Sequence, residues 1–322
     1  MSMSFTFGFS EEDLNGESVG VVTAPTTSSA PPAPATDAVS PKVADISNLL
    51  LSLIGTSLSF ETACTPNNNI VYKRALYDIK HQVMTEDNEE LASLLLADDS
   101  DLKKNYYEGG FKVWECSFDM IDELHTNYAD ANTVVELGSG TSLPSCYVLF
   151  HRLTATSTAP LKLILSDFNY EVLRLVTVPN LLINWYVARK QPTASEFRIT
   201  AEVVAEFETD LAASHVELVL ISGSWGERFL QLVQHTAIDL VVTCETIYSL
   251  ESLPVLSTMV IELVKRTRGA KALVGAKNYY FGVGGSVAEF VRYVKTHSDL
   301  EVTVREVSSQ LKRSVVEVTQ HY

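Results

Sequence analysis

Three observations on this 322-residue sequence predict an α/β fold with a doubly wound, mostly parallel sheet and helices on both faces. From about Val134 onward, short apolar runs alternate with amphipathic stretches of helical length. The first run ends in Gly138-Ser139-Gly140 and restarts as a helix at Leu143-Pro144, the order of a nucleotide-type binding turn. The chain closes on two strands with no helix between them, which fits a hairpin placing one antiparallel strand in the sheet. Hydrophobic residues make up 46% of the chain, enough for a large core.

The first 44 residues read as a largely disordered tail rich in Pro, Ser, Thr and Ala. Within it the alternating Phe5, Phe7 and Phe9 form a short strand or docking peptide, or a free tail. Residues 45–107 are expected to be a helical N-terminal extension. Its first helix runs from Asp45, as cap, to Leu58, with Ile46, Leu49, Leu50, Leu53 and Ile54 on one face. The segments around Ile70–Met84 and Asn88–Leu96 mix charge with apolar residues. Residues 108–322 form the main domain. There Gly109-Gly110 is a turn, Val113-Trp114 a short extended piece and Ser117–Tyr128 an amphipathic helix. Strand Val134–Leu137 and helix Pro144–Arg152 flank the glycine turn. Strand Leu161–Leu165, helix Glu171–Ala188 and a strand-like Phe197–Val204 follow. Next come strand Val216–Ile221, helix Glu227–Gln234, strand Ile238–Thr243, helix Leu253–Arg266 and strand Ala272–Ala276. Helix Ser286–Thr296 leads to the closing strands Leu300–Val307 and Ser314–Val318. No internal repeat is visible.

The net charge of −16 argues against a nucleic-acid partner held through its phosphates and suits a basic macromolecule. Of that charge, −5 lies in residues 1–41, which hold five acids and no Lys or Arg. Four scattered cysteines, Cys64, Cys116, Cys146 and Cys244, form no CxxC pair, so neither a disulfide framework nor a zinc site is expected. None of the seven histidines has a partner at metal-ligand spacing, and no metal is expected. The Lys103-Lys104 and Lys312-Arg313 pairs read as solvated charge. The N-terminus lacks a secretory signal pattern, and the apolar run Ile46–Ile54 is about half a membrane span, so no membrane association is expected. No heptad argues for a dimer, and a monomer is expected.

In an open parallel sheet, ligands sit at the carboxyl ends of the strands. The strand exits collect Glu136 with Gly138 and Gly140, then Asp167 with Asn169, then Ser224-Trp225, then Glu245 and Tyr248, then Asn278. Asp167, about thirty residues past the turn, suits a carboxylate that holds ribose hydroxyls. A dinucleotide turn has a third glycine where Leu143 stands, and no lysine-bearing phosphate loop is present. A two-glycine turn behind a carboxylate suits a cationic, phosphate-free ligand such as S-adenosylmethionine. NAD and a ligand-free core turn remain open on spacing alone.

From about Ala75 to Val318, with the Phe5–Phe9 opening, the chain resembles the seven-strand (class I) methyltransferases and, within them, the histidine protein methyltransferase family. The resemblance is carried by ALYDIKHQVMTED, NYYEGGFKVWECSFD, VVELGSGTSLPS, LSDFNYEVLRLVTVPNLLINW, ISGSWGE, VVTCETIYS and AKNYYFGVGGSVAEF. It departs at Ser286, where family members often have a third glycine, and it is weak between Ser195 and Ser214.

The resemblance implies a seven-stranded Rossmann-like sheet and S-adenosylmethionine as cofactor. It implies that Glu136, Gly138 and Gly140 line the methionine part, that Asp167 holds the ribose, and that Asn169 flanks the adenine. Ser224-Trp225 would cover the adenine face, and Gly110, Lys112 and Trp114 would close over the cofactor. The family methylates a histidine of a large-subunit ribosomal protein at the remote (tele) nitrogen, which implies an enzyme of the cytoplasm and nucleus. Glu245, Tyr248 and Asn278 are the candidates for setting the acceptor's tautomer. Protein lysine methyltransferases of the same fold, or a non-catalytic ribosomal-protein-binding factor, are the alternatives.

Overall fold

The computed structural model describes residues 39–86, 109–155, 159–307 and 312–321. The Phe5–Phe9 stretch, most of the low-complexity tail, Asn88–Leu96 and Lys103-Lys104 lie outside the described residues.

The N-terminal part holds β1 (Lys42–Ala44), α1 (Ile46–Ser52), β2 (Ser57–Cys64), β3 (Ile70–Arg74) and α2 (Leu76–Thr85). The domain proper begins with α3 (Cys116–Asn127), β4 (Thr133–Leu137), α4 (Leu143–Thr154) and β5 (Leu161–Asp167). A continuous helical rod follows, made of α5 (Tyr170–Val172), a π-helical turn (Leu173–Thr177) and α6 (Val178–Lys190). Then come β6 (Glu196–Arg198), α7 (Ala201–Ala213), β7 (Val216–Ser222), α8 (Glu227–Leu232) and β8 (Leu240–Cys244). The chain ends with α9 (Ser252–Arg266), β9 (Lys271–Lys277), α10 (Val287–His297), β10 (Glu301–Val307) and β11 (Arg313–Thr319).

The main sheet runs β1-β7-β5-β4-β8-β9-β11-β10. The five strands from β7 to β9 are parallel, and β11 enters antiparallel between β9 and β10. The doubly wound, mostly parallel architecture and its closing hairpin are thus as predicted. The sheet has the seven expected strands plus an eighth: β1 pairs antiparallel with β7, Lys42 opposite Ser222 and Ala44 opposite Leu220. Two apolar clusters cover the two faces. One centres on Met120, Leu149, Leu182 and Trp185, the other on Leu256, Val260, Leu263 and Phe290.

Three expectations are corrected. Lys312-Arg313 is not simply solvated charge, because the Arg313 guanidinium donates twice to the buried Asp119 carboxylate of α3. The stretch 45–107 is not simply helical, because β2 and β3 form a hairpin that β6 joins as a second, three-stranded sheet. The expected helix from Asp45 to Leu58 accordingly stops at Ser52, and Leu58 lies in β2. The strand-like Phe197–Val204 is instead the short β6 followed by α7. The Thr200 side chain accepts from Val203 N and caps a helix whose Val204, Phe207 and Leu211 recur at helical spacing. Phe197 stacks on Tyr186 of α6, ring centroids 3.9 Å apart, and so ties the small sheet to the domain.

That tie is reinforced by side-chain amides that act as a strand edge. Asn184 on α6 accepts from Tyr72 N (3.1 Å) and donates to Tyr72 O (2.7 Å), completing the backbone pairing of β3. One turn earlier, Asn180 accepts from Arg74 N (2.7 Å). Unpaired strand groups buried against a helix would otherwise be costly.

Candidate active site

The order of connections reverses between β4 and β8, so the switch-point crevice lies beyond the carboxyl ends of these two neighbouring strands. The β4 exit forms one lip. Gly138 (φ 67°) and Gly140 (φ 47°) are both in the left-handed region that favours glycine. Both positions are also crowded. A Cβ on Gly138 would come within 2.6 Å of Thr246 Cγ2, and one on Gly140 within 3.2 Å of the Gly110 carbonyl oxygen.

Glu136 is buried one residue before β4 ends and accepts hydrogen bonds from the hydroxyls of Ser142 (2.9 Å) and Ser145. Burial pushes its carboxyl up to about 7, against the pull of those two hydroxyls. A carboxyl raised in the folded state favours folding while protonated. Stability is therefore full below its ordinary range near 4.5 and falls as pH rises towards 7. We expect the cofactor-free protein to lose on the order of 2 kcal/mol between pH 5 and pH 8 through this group. Glu136→Gln should flatten that slope in urea denaturation series at the two pH values, and an unchanged slope would contradict the assignment.

Asp167, at the end of β5, braces the turn. Its carboxylate accepts from Gly140 N (2.9 Å) and Asn169 N (3.0 Å). Ser139 N donates to Ser166 O (2.8 Å), while the Ser139 hydroxyl is buried without a hydrogen-bond partner. An orphaned hydroxyl beside two bare glycines is a surface awaiting a polar ligand. From the other side, Thr177 Oγ1 donates to Gly140 O (2.7 Å) and Asn180 Nδ2 to Thr141 O (2.7 Å). These two supports were not singled out from sequence. They sit on the helical rod about forty residues beyond the turn and have no local motif.

The other predicted cofactor residues fall around this lip with different degrees of engagement. Gly110 packs against the Gly140 backbone on one side and Val172 on the other, where a Cβ would come within 2.9 Å of a Val172 methyl. Trp114 Nε1 donates to Gly109 O (3.2 Å), and the Lys277 ammonium lies 5.6 Å from the Trp114 ring centroid. Lys112 is exposed, its N–H bonded to Gly109 O. Trp225 donates from Nε1 to Ser166 Oγ (3.0 Å), and its ring edge lies 3.5 Å from where a Gly138 Cβ would stand. Asn169 caps the helical rod through its carbonyl, which accepts from Val172 N (3.2 Å). Ser224 is engaged by the segment just before the edge strand: its N–H donates to Val39 O and its hydroxyl accepts from Val39 N. What Ser224 keeps for a ligand is the proton of that hydroxyl.

The β8 exit is the second lip. Glu245 adopts φ 57°, left-handed for a residue with a side chain, and its N–H donates to Gly275 O of β9 (2.8 Å). Glu245 as a whole is 8% exposed, and its Oε1 is buried. Oε2 accepts from the Tyr280 hydroxyl, and Oε1 has no hydrogen-bond partner. The Cys116 thiol leans on the same carboxylate, and its pKa is raised by burial first and by Glu245 next. Tyr248 is half-buried, and its carbonyl accepts from Gly285 N (3.0 Å). Asn278 Oδ1 accepts from Ser314 Oγ (2.6 Å) and its backbone N–H donates to Lys312 O (2.9 Å), so it secures the end of β9 to β11 and keeps its side-chain amide protons for a ligand. Of the three expected acceptor residues, Glu245 alone has a buried polar atom left unmatched. Tyr280, absent from that set, is its direct partner.

Among the described residues no cluster of His, Cys, Asp and Glu could hold a metal ion, and no helix is long and apolar enough to cross a membrane. No family model matches the chain. It is 36% identical over 317 residues to histidine protein methyltransferase 1 of Saccharomyces cerevisiae, covering 86% of this chain and 84% of that one. The Schizosaccharomyces pombe protein of the same name is 36% identical over 304 residues, covering 89% and 83%. The rat homologue is 30% identical over 241 residues, covering 72% and 62%. Among solved structures, magnesium protoporphyrin IX methyltransferase from Synechocystis aligns with a TM-score of 0.39 at 11% identity, over 75% of this chain and all of that one, too distant to carry an argument. On the strength of the two yeast relatives, the chain belongs to the histidine protein methyltransferase family.

Proposed function

We propose that this protein transfers a methyl group from S-adenosylmethionine to the remote ring nitrogen of a histidine in a basic protein, of the kind found in the large ribosomal subunit. The observation that carries the acceptor side is the buried Glu245 carboxylate with Oε1 unmatched, beside the glycine turn at the switch point. The cofactor side rests on the fit of the first lip. Bare glycines and the orphan Ser139 hydroxyl suit the methionine part, Asp167 the ribose, and the Trp225 ring the adenine. A phosphate-free cation suits a lip that presents the Asp167 carboxylate, which would repel phosphate.

S-adenosylmethionine supplies a methyl group on a sulfonium, an electrophile that needs only an aligned lone pair. An imidazole, with a pKa of about 6.5, is mostly neutral at pH 7 and has that lone pair without a base. A lysine acceptor would first have to lose a proton from a pKa of about 10.4. The chain's task is therefore alignment. Glu245 Oε1 accepts the N–H of the near nitrogen, which leaves the far nitrogen with its lone pair. That lone pair forms the bond to the methyl carbon. The cofactor would supply the methyl carbon as its carbon–sulfur bond breaks with the electron pair left on sulfur, and the imidazolium held by Glu245 would lose its near-nitrogen proton to water. Positive charge grows on the ring during this step, and a preorganised buried carboxylate stabilises it more in the transition state than in the ground state. The net charge of −16 favours encounter with a basic protein.

Incubation with labelled S-adenosylmethionine and large-subunit ribosomal proteins, followed by amino-acid analysis, tests the reading. Remote-nitrogen methylhistidine is expected, and methyl-lysine as the sole product would overturn it. Glu245→Gln keeps the shape and removes the charge. It should lower kcat about tenfold while calorimetric affinity for S-adenosylmethionine stays within about twofold.

A further inference from the structure

Tyr280 lies on the β9–α10 loop, opposite the β8 exit, and the mechanism above gives it no part. Its hydroxyl accepts from Lys277 N (3.2 Å) and donates to Glu245 Oε2. The hydroxyl has one proton. With Lys277 N–H as incoming donor, that proton is committed to the carboxylate. The ring cannot drift, because the loop closes on itself on both sides of it. Tyr280 N donates to Gly285 O (2.9 Å), and Gly284 N donates to Tyr280 O (3.0 Å). Two isolated bridges, Tyr279 with Ser286 and Ser249 with Gly284, tie this loop to itself and to the loop after β8.

A carboxylate has two equivalent oxygens and a free torsion. Without the Tyr280 hydroxyl only the Cys116 thiol, a weak donor, would lean on Glu245, and either oxygen could be offered over a range of angles. Once Oε2 is claimed, the plane of the group is set and Oε1 points one way. The left-handed backbone at Glu245 fixes the direction in which the side chain leaves the strand. Burial, and then the charge of Glu245, raise the Tyr280 phenol far above its ordinary range, so it stays a donor at every working pH.

We propose that Tyr280 is the positioning residue for the acceptor carboxylate: by holding Glu245 Oε2 it aims Oε1 at the near nitrogen of the substrate imidazole, and so determines which ring nitrogen is methylated. This rests on the reading of Glu245 as acceptor of the ring N–H. A purely structural role, tying the two loops together, would alter stability and leave the product isomer unchanged.

The test is Tyr280→Phe in the full chain, which keeps the ring and removes the hydroxyl. Labelled S-adenosylmethionine and large-subunit ribosomal proteins serve as substrates, and the two methylhistidine isomers are resolved by amino-acid analysis. We expect kcat to fall about tenfold with KM for the ribosomal protein nearly constant, and near-nitrogen methylhistidine to rise from trace to about a tenth of the product. Calorimetric affinity for S-adenosylmethionine should stay within about twofold. The Glu245→Gln/Tyr280→Phe double variant should be no slower than Glu245→Gln alone, because the tyrosine acts through the carboxylate. An unchanged isomer ratio in Tyr280→Phe, whatever happens to kcat, or additive losses in the double variant, overturn the proposal. If Glu245→Gln is also unimpaired, the acceptor reading of Glu245 falls with it. Loss in Glu245→Gln alone leaves that reading standing without Tyr280.

Discussion

Gly285→Ala should lower turnover at least about a hundredfold while leaving S-adenosylmethionine binding nearly intact. Space makes glycine necessary here. A Cβ at this position would run into the carbonyl oxygen of Ile247 and the carbonyl carbon and oxygen of Tyr248. All three are backbone atoms, so no rotamer change relieves the clash. The two chains are also bonded at this point, with Gly285 N donating to Tyr248 O at 3.0 Å. To admit one methyl group, the loop after β8 and the loop after β9 must separate by about 1 Å or more. A displacement of that size at a reacting centre costs about a hundredfold in rate, since alignment is most of what this site contributes. Glu245 and Tyr280 lie one on each side of the separated seam, so their hydrogen bond is lost too. The glycine turn after β4 is built by other contacts, from Asp167, Thr177 and Asn180. Initial rates should fall at least about a hundredfold, with the calorimetric Kd for S-adenosylmethionine within about threefold. Gly282→Ala is the control. Gly282 has φ 84° and nothing within 4 Å of its added Cβ, so only backbone strain of about 1–2 kcal/mol applies. Normal turnover in Gly285→Ala would mean that the two loops do not need to interlock.

What the sequence revealed and concealed about this site follows from range. Strand–helix alternation is local, and every parallel strand of the main sheet, with the closing hairpin, was legible from it. The glycine turn and the carboxylates at strand exits were legible because the fold places such positions at one edge. Partners were not. Asn180 lies 106 residues from Arg74 and 39 from Thr141, and no periodicity brings their backbone groups together. Ser224 reads as a ligand contact, but the structure also engages its N–H and its hydroxyl oxygen with Val39, just ahead of β1, a partner 185 residues away that no local motif announces. Tyr280 lies in AKNYYFGVGGSVAEF, one of the stretches that carry the family resemblance, yet its role emerges only when β9 is seen beside β8. The helix α7 was lost for a different reason. Phe197 to Val204 is rich in residues that favour strands, and the cap at Thr200 divides the segment in a way composition hides.

Arg74→Met should cost about 3–5 kcal/mol of stability, the range for breaking a buried ion pair from one side. The Arg74 side chain is fully buried where β3 meets the helical rod. Its Nε donates to Asp78 Oδ2 (2.8 Å), one terminal nitrogen to Leu175 O (2.8 Å) and the other to Gln82 Oε1 (2.7 Å). Methionine fills much of the volume and satisfies none of these groups. Asp78 is left as a nearly buried charge, and the Leu175 carbonyl as a buried acceptor. Leu175 belongs to the π-helical turn, as does Thr177, which holds the Gly140 carbonyl. Loosening the turn therefore reaches the cofactor lip, and S-adenosylmethionine affinity should fall along with the urea midpoint. Adding Asp78→Leu distinguishes the causes. If the loss comes from the stranded carboxylate, the double variant should regain a kcal/mol or more, because replacing both members of a buried pair is less costly than removing one. If it comes from the Leu175 carbonyl and the turn it anchors, the double variant should be as unstable as Arg74→Met and bind the cofactor as weakly. A loss below about 1 kcal/mol in Arg74→Met itself would mean that the small sheet and the rod are held by Asn180, Asn184 and apolar packing without the arginine.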